Sequence, residues 1–185
     1  MSFDQKTYPI EIGGVKRDLR LFEVKPGLKI AILNILGDTE LVIACAKALA
    51  KKMDAGKYDV LVTAESKSIP LIHQLSVETK KPYVVLRKSY KIYMGDAIKA
   101  ETVSITTGKP QTLILDEKDK TLIHGKKVAI VDDVISTGST LEGMQSIIEK
   151  AGGDITMKAA IFTEGDPEHW KEIIALGNLP VFIKE

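Results

Sequence analysis

Cysteine is almost missing from this chain: Cys45 is the one thiol among 185 residues. A single thiol cannot close an internal disulfide, so a reducing cytoplasm is the simplest home. Cys45 lies among Ala and Val in a helical pattern, where a small buried hydrophobe is expected rather than a nucleophile. Histidine is scarce too. His73, His124 and His169 are scattered without ligand spacing, which argues against a protein-built zinc site. Neither sign of charge dominates: 26 Lys and Arg against 25 Asp and Glu give a net charge of +1. That balance offers no general affinity for nucleic acid or for acidic membranes. No apolar run reaches the ~18 residues of a membrane span. Residues 1–14 carry early charges and no apolar core, unlike a signal peptide. The length suits one domain over residues 1–185.

What is present is an alternation of strands and helices. Tyr8 to Val24 reads as a β-hairpin around Gly13-Gly14. Asp38 is placed to cap a helix running to about Met53, with Leu41, Val42, Cys45, Ala48 and Leu49 on one face and Gly56 as its stop. Asp59 to Ala64 reads as a buried strand. Ser68 to Thr79 reads as a helix with Pro70 in its first turn, ended before Pro82. Tyr83–Leu86, Thr112–Leu115 and Ile155–Phe162 read as further strands. Asp166-Pro167 opens a short helix to Leu176, and Leu179 to Ile183 ends the chain as a strand. Such alternation predicts α/β architecture: an open, mostly parallel sheet with helices on both faces. The N-terminal hairpin (7–24) stands outside this rhythm, as a flap or as an addition to the sheet edge. Residues 88–111 are the other irregular piece. Long loops in compact domains are usually functional or disordered, so a flexible lid is one expectation there. A pair of strands, supported in part by the alternation of Val103 and Ile105 within Glu101 to Thr107, is the other, and a two-stranded flap would satisfy both.

The densest chemistry lies at Val128 to Thr140. Val128-Ala129-Ile130-Val131 is the continuous apolar run of a buried parallel strand. Asp132 and Asp133 follow, then the loop Ser136-Thr137-Gly138-Ser139-Thr140, then a helix to Lys150 closed by Gly152-Gly153. Amides at a helix start have no helical acceptor, and the helix dipole adds positive potential, so this loop can hold an anion. An ordinary cap needs one Asp, Ser or Thr. Two acids, four hydroxyls and a glycine exceed that need. Carboxylates beside a phosphate cradle make sense if the ligand also carries hydroxyls, and a sugar phosphate is the simplest such ligand. A second loop, Glu65-Ser66-Lys67-Ser68, repeats the strand–loop–helix order with a cation, and suits another phosphate or a diphosphate. Arg87 and Lys88, with Lys91 nearby, end another strand. Ligands of open α/β sheets gather at that carboxyl edge.

The segment Val128–Thr140 resembles the phosphoribosyl-diphosphate (PRPP) motif of type I phosphoribosyltransferases, and the chain is similar to their purine branch from roughly Asp38 to Gly152. The resemblance implies that Asp132 and Asp133 are the catalytic pair and contact the ribose 2′- and 3′-hydroxyls. It implies that Ser136, Thr137, Gly138, Ser139 and Thr140 hold the 5′-phosphate. Glu65, Ser66, Lys67 and Ser68, with Arg87, Lys88 and Lys91, are assigned to the diphosphate. Mg²⁺ would come largely with the substrate rather than on protein ligands. The hairpin corresponds to a hood over the base, and a homodimer is implied. The expected reaction joins adenine to PRPP, giving AMP and diphosphate. Adenine phosphoribosyltransferases carry a Glu-Tyr pair in the lid where this chain has Thr106 and Thr107 before Gly108. Xanthine or hypoxanthine therefore stay open as substrates, as does a non-catalytic PRPP-sensing regulator. The expected partners are PRPP and a purine base, with no nucleic acid and no membrane.

Overall fold

A computed structural model describes residues 4–103 and 110–184. The chain opens on two antiparallel strands, β1 (Thr7–Ile12) and β2 (Val15–Lys25), joined at Gly13-Gly14. Both glycines have positive φ, 58° and 85°, which is what a tight hairpin turn with right-handed strand twist requires. β3 (Leu28–Ile32) pairs with β2, and the C-terminal strand β11 (Val181–Ile183) pairs with β3. The hairpin thus belongs to a separate four-stranded sheet, β1-β2-β3-β11, and is not an edge addition to the main one. Its inward residues Ile10, Ile12, Leu19 and Leu21 are buried.

The main sheet has β4 (Val60–Ala64), β5 (Tyr83–Leu86), β8 (Lys127–Ile135), β9 (Asp154–Glu164) and β10 (Ile174–Leu179), in the order β10-β9-β8-β4-β5. All four pairings are parallel. Helices cover both faces, as the alternation predicts. On one face α1 (Thr39–Lys52) and α2 (Ile69–Thr79) share a core with the hairpin sheet and with Leu61, Val131 and Ile161. On the other, α4 (Ser139–Lys150) packs with Val60, Val62 and Ile130. That second core also takes Ile123 of the short helix α3 (Lys120–Ile123), and Ala100 and Leu113 of a two-stranded hairpin, β6 (Ile98–Val103) and β7 (Pro110–Leu115). The irregular segment 88–111 therefore opens without strand, with a 3-10 turn at Ile92–Met94, and holds β6 and the start of β7 in its second half. Thr106, Thr107 and Gly108 lie outside the described residues.

Several local readings need correction. α1 ends at Lys52 with Met53 as its cap, where the end was expected, but Met53 and not Gly56 stops it: Met53 turns into extended backbone, buries its side chain and donates its amide to the Leu49 carbonyl. β3 has no strong sequence signature, since its residues are mostly half-buried. No helix runs from Asp166 to Leu176. A 3-10 turn spans Pro167–Trp170, and β10 follows, because a parallel ladder with β9 satisfies a backbone that carries Gly177 and Asn178. The final strand is split: Leu179 ends β10, and after Pro180 the chain crosses to the hairpin sheet. α2 stops as expected before Pro82, with Lys80 in the left-handed region at φ 59°. Asp38 caps α1 as expected, accepting from the Leu41 amide at 3.1 Å. Cys45 is fully buried and its thiol is pushed up to about 12, first by burial and then by Asp38.

The turn before β9 is packed without slack. A Cβ on Gly153 would meet Ile123 Cγ2 at 2.7 Å, Ile148 Cγ2 at 2.8 Å and Val128 Cγ2 at 3.1 Å. All three neighbours are branched and buried. Gly153→Ala is expected to lower unfolding free energy by about 1–3 kcal/mol, the usual cost of overpacking. Urea midpoints measure this, and a midpoint equal to that of the parent chain would contradict the packing described.

Candidate functional site

β8 outlasts its apolar run. Asp132 and Asp133 sit within the strand, which continues to Ile135, rather than beyond its end. Asp132 pairs with Ala160 of β9. On the opposite side β4 is the neighbour of β8, so the loop that leaves β4 at Ala64 comes down beside the two acids. This loop is Glu65 to Ser68, and its Glu65–Ser66 peptide is cis.

Ser68 joins the two segments. Its hydroxyl lies 2.7 Å from Asp132 Oδ1 and 3.2 Å from Asp133 Oδ1, and the Asp133 amide donates to Ser68 Oγ at 3.0 Å. The same amide lies 2.9 Å from Asp132 Oδ1. Both acids are nearly closed to solvent, at 8% and 9% exposure. Asp133 Oδ2 is buried and has no hydrogen-bond partner; its nearest cation is Lys67 Nζ at 3.9 Å. Burial raises the Asp132 carboxyl to about 7, and the neighbouring Asp133 adds to the rise. Burial beside a second acid thus disfavours charge on Asp132.

The phosphate-type loop follows. Gly138 begins α4 with φ 84°, and no side chain caps the helix. The helical ladder starts with the Glu142 amide donating to the Gly138 carbonyl at 2.9 Å. The amides before it point out of the helix start, where an anion is favoured. Thr137 and Ser139 lie 3.2 Å apart through their hydroxyls. A small hollow is lined by Asp132 and residues 134–141. A larger cavity of about 210 Å³ is lined by residues 64–68, Lys88, Asp132, Asp133, Val134 and Thr140. Asp132, Val134 and Thr140 line both spaces, so the acids adjoin the helix start on one side and the Glu65–Ser68 loop on the other.

The expected cations separate. Lys67 and Lys88 line the cavity that holds the two acids. Arg87 does not: it pairs with Glu65 at 2.6 Å and lines a neighbouring cavity of about 640 Å³ with Tyr93 and Lys118. Glu65 also accepts the Lys88 amide at 2.5 Å. Burial raises the Glu65 carboxyl, yet the Lys88 amide and Arg87 outweigh it and hold the group below its ordinary value. Glu65 thus fixes the end of β5 against the loop after β4. Lys91 is exposed and lines neither cavity. What the sequence could not show is Ser68 as the bridge, because 64 residues separate it from Asp132. Among the described residues no group of three or more His, Cys, Asp or Glu could hold a metal ion.

A parallel sheet brings twin acids and two loops at helix starts to one edge. The chain belongs to the phosphoribosyl transferase domain family, whose model matches residues 32–175. It is 33% identical over 127 residues to a hypoxanthine/guanine phosphoribosyltransferase of Methanotorris igneus, covering 69% of this chain and 66% of that protein. It is 26% identical over 132 residues to the purine biosynthesis transcriptional repressor of Bacillus subtilis, covering 71% of this chain but 46% of that protein. Its fold is similar to that of an adenine phosphoribosyltransferase from Thermoanaerobacter pseudethanolicus, with a TM-score of 0.71, 21% identity, and coverage of 86% and 95% of the two chains.

The raised Asp132 carboxyl has a consequence for stability. Below the pKa of the unfolded chain the group is protonated in both states and costs nothing. As pH rises toward about 7 the unfolded chain ionises first, and stability is lost. Asp132→Asn keeps the acceptor for Ser68 and removes the charge. Relative to the parent, the variant is expected to gain about 2–4 kcal/mol between pH 4 and pH 8, at 1.36 kcal/mol per unit. Urea melts at the two pH values test it; an equal stability difference at both would contradict a raised carboxyl.

Proposed function

We propose that this chain is a purine phosphoribosyltransferase. The observation that carries the reading is the continuity of the site: Asp132 and Thr140 border both the helix-start hollow and the cavity that holds Lys67 and Lys88. A ribose 5-phosphate with diphosphate at C1 has its charges at opposite ends and its hydroxyls between. In this reading the 136–140 loop takes the 5′-phosphate, and Asp132 and Asp133 accept from the 2′- and 3′-hydroxyls. Ser66, Lys67, Ser68 and Lys88 face the diphosphate. Arg87 and Glu65 act from behind, by fixing the strand end that presents Lys88.

Chemistry then needs little covalent work from the protein. The C1–O bond to diphosphate breaks, its electron pair leaving with the diphosphate oxygen, as a ring nitrogen of the base bonds to C1 and passes its proton to solvent water. Positive charge develops on the ribose ring between these events. The two carboxylates beside the ring stabilise that charge, and Lys67 and Lys88 stabilise the departing diphosphate. The donor set suits a substrate-borne Mg²⁺: Asp133 Oδ2 is an oxygen without a hydrogen-bond partner in a residue that lines the cavity. When bound, the ion would neutralise diphosphate charge.

Support for a purine comes from the similarity to hypoxanthine/guanine phosphoribosyltransferases, which favours an oxopurine over adenine as the base. The similarity to a transcriptional repressor supports a second reading, a PRPP-sensing domain without turnover. A panel of adenine, hypoxanthine, guanine and xanthine with PRPP and Mg²⁺ separates the two. Diphosphate release with at least one purine is expected. The paired change Asp132→Asn with Asp133→Asn is expected to lower kcat/KM by on the order of 100-fold or more, by removing charge at the developing cation. PRPP binding with no release for any base would favour the regulator.

A further inference from the structure

The one tryptophan of the chain sits against the phosphate-type loop. A Cβ on Gly138 would lie 3.1 Å from Trp170 Cη2 and 3.7 Å from Cζ3. The outer edge of the indole therefore rests on the Gly138 backbone, at the point where the chain turns left-handed and α4 begins. Trp170 belongs to the 3-10 turn after β9, 32 residues beyond Gly138, and nothing in the local sequence marks it as part of the site.

Its position is fixed from several sides. The indole N–H donates to the carbonyl of Glu164, the last residue of β9, at 3.1 Å. Its backbone carbonyl accepts from the Ile173 amide at 2.9 Å. The Asp166 side chain accepts from the Glu168 amide at 3.0 Å and anchors the turn that carries the ring. The ring also packs against the α4 core. β9 is the partner of β8, which leads into the loop. A rigid strap thus runs from the end of one central strand, through an aromatic plate, to the loop that follows the other.

We infer that Trp170 is a positioning residue for the 5′-phosphate: it holds Gly138 down so that the uncapped amides of the α4 start are aimed before the ligand arrives. This rests on the proposed reading of the 136–140 loop as the 5′-phosphate site. Gly138 has no side chain with which to anchor itself, and its neighbours Thr137 and Ser139 bond to each other. Without the plate, the loop would have to be ordered by the phosphate, and ordering a backbone residue costs affinity. The diphosphate end of the site lies on β4 and β5 loops that Trp170 does not support.

Titration of ribose 5-phosphate and of inorganic diphosphate, followed calorimetrically, tests this with the parent chain, Trp170→Ala and Trp170→Phe. Trp170→Ala is expected to weaken ribose 5-phosphate roughly tenfold, about the factor that 1.4 kcal/mol gives, and to leave diphosphate affinity within twofold. Trp170→Phe, whose shorter ring falls short of Gly138 and which loses the N–H to Glu164, is expected to weaken ribose 5-phosphate by an intermediate factor of roughly threefold to fivefold and to leave diphosphate affinity within twofold, and unchanged ribose 5-phosphate affinity in it overturns the inference. Trp170 fluorescence in the parent is expected to shift with ribose 5-phosphate and not with diphosphate. Equal weakening of both ligands, or none in Trp170→Ala while the parent binds normally, overturns the inference alone. A parent chain that binds no ribose 5-phosphate overturns the reading of the loop and the inference with it. Should Trp170→Ala fail to fold, Trp170→Phe and the fluorescence of the parent still decide.

Discussion

One interaction sets the terms for the rest: two adjacent acids buried on a central strand and tied by Ser68 to the loop of the next strand. Carboxylates next to each other and away from water resist ionising together. A fold selected for stability alone would replace them. Here the sheet is built to keep them, with apolar cores on both faces. A ligand that donates hydrogen bonds to this pair would favour its charge. Ribose hydroxyls donate to carboxylates and favour their charged form.

The order of the strands then explains how unlike groups meet. β8 lies between β4 and β9 in the sheet, so its carboxyl end is flanked by the loop after β4 and by the turn after β9. One flank brings Ser68 and Lys67; the other brings Trp170. The loop at the end of β8 itself supplies the uncapped start of α4. Glu65 gathers the end of β5 into the same edge through Arg87 and the Lys88 amide. Each group is local to its strand end, and only the parallel register makes them a site.

This also marks what could be read along the chain and what could not. Val128 to Val131 announced a buried strand, and Asp132 through Thr140 announced two acids leading into a helix start, because these features are contiguous in sequence. Asp38 as a helix cap and Gly13-Gly14 as a hairpin turn were equally legible, since each depends on a few adjacent residues. The segment after Asp166 was misread as helix, because pairing with β9 decides it and no short-range signal reports that pairing. Likewise Arg87 and Lys88 look alike as neighbours in sequence, but alternation along a strand end sends them to different cavities. Trp170 carried no signal at all. Its contact with Gly138 joins two strand ends that only the folded sheet makes adjacent.

Burial holds Asp132 toward its uncharged form, and on the proposed function a hydroxyl-bearing ligand draws it into the carboxylate form. A carbon-13 NMR titration of the Asp132 carboxyl carbon, without and with saturating ribose 5-phosphate, tests it most directly. The account requires a midpoint far above that of an ordinary aspartate in the free protein, and a clear fall when ligand binds. An ordinary midpoint in the free protein, or one that the ligand leaves unmoved, would contradict it.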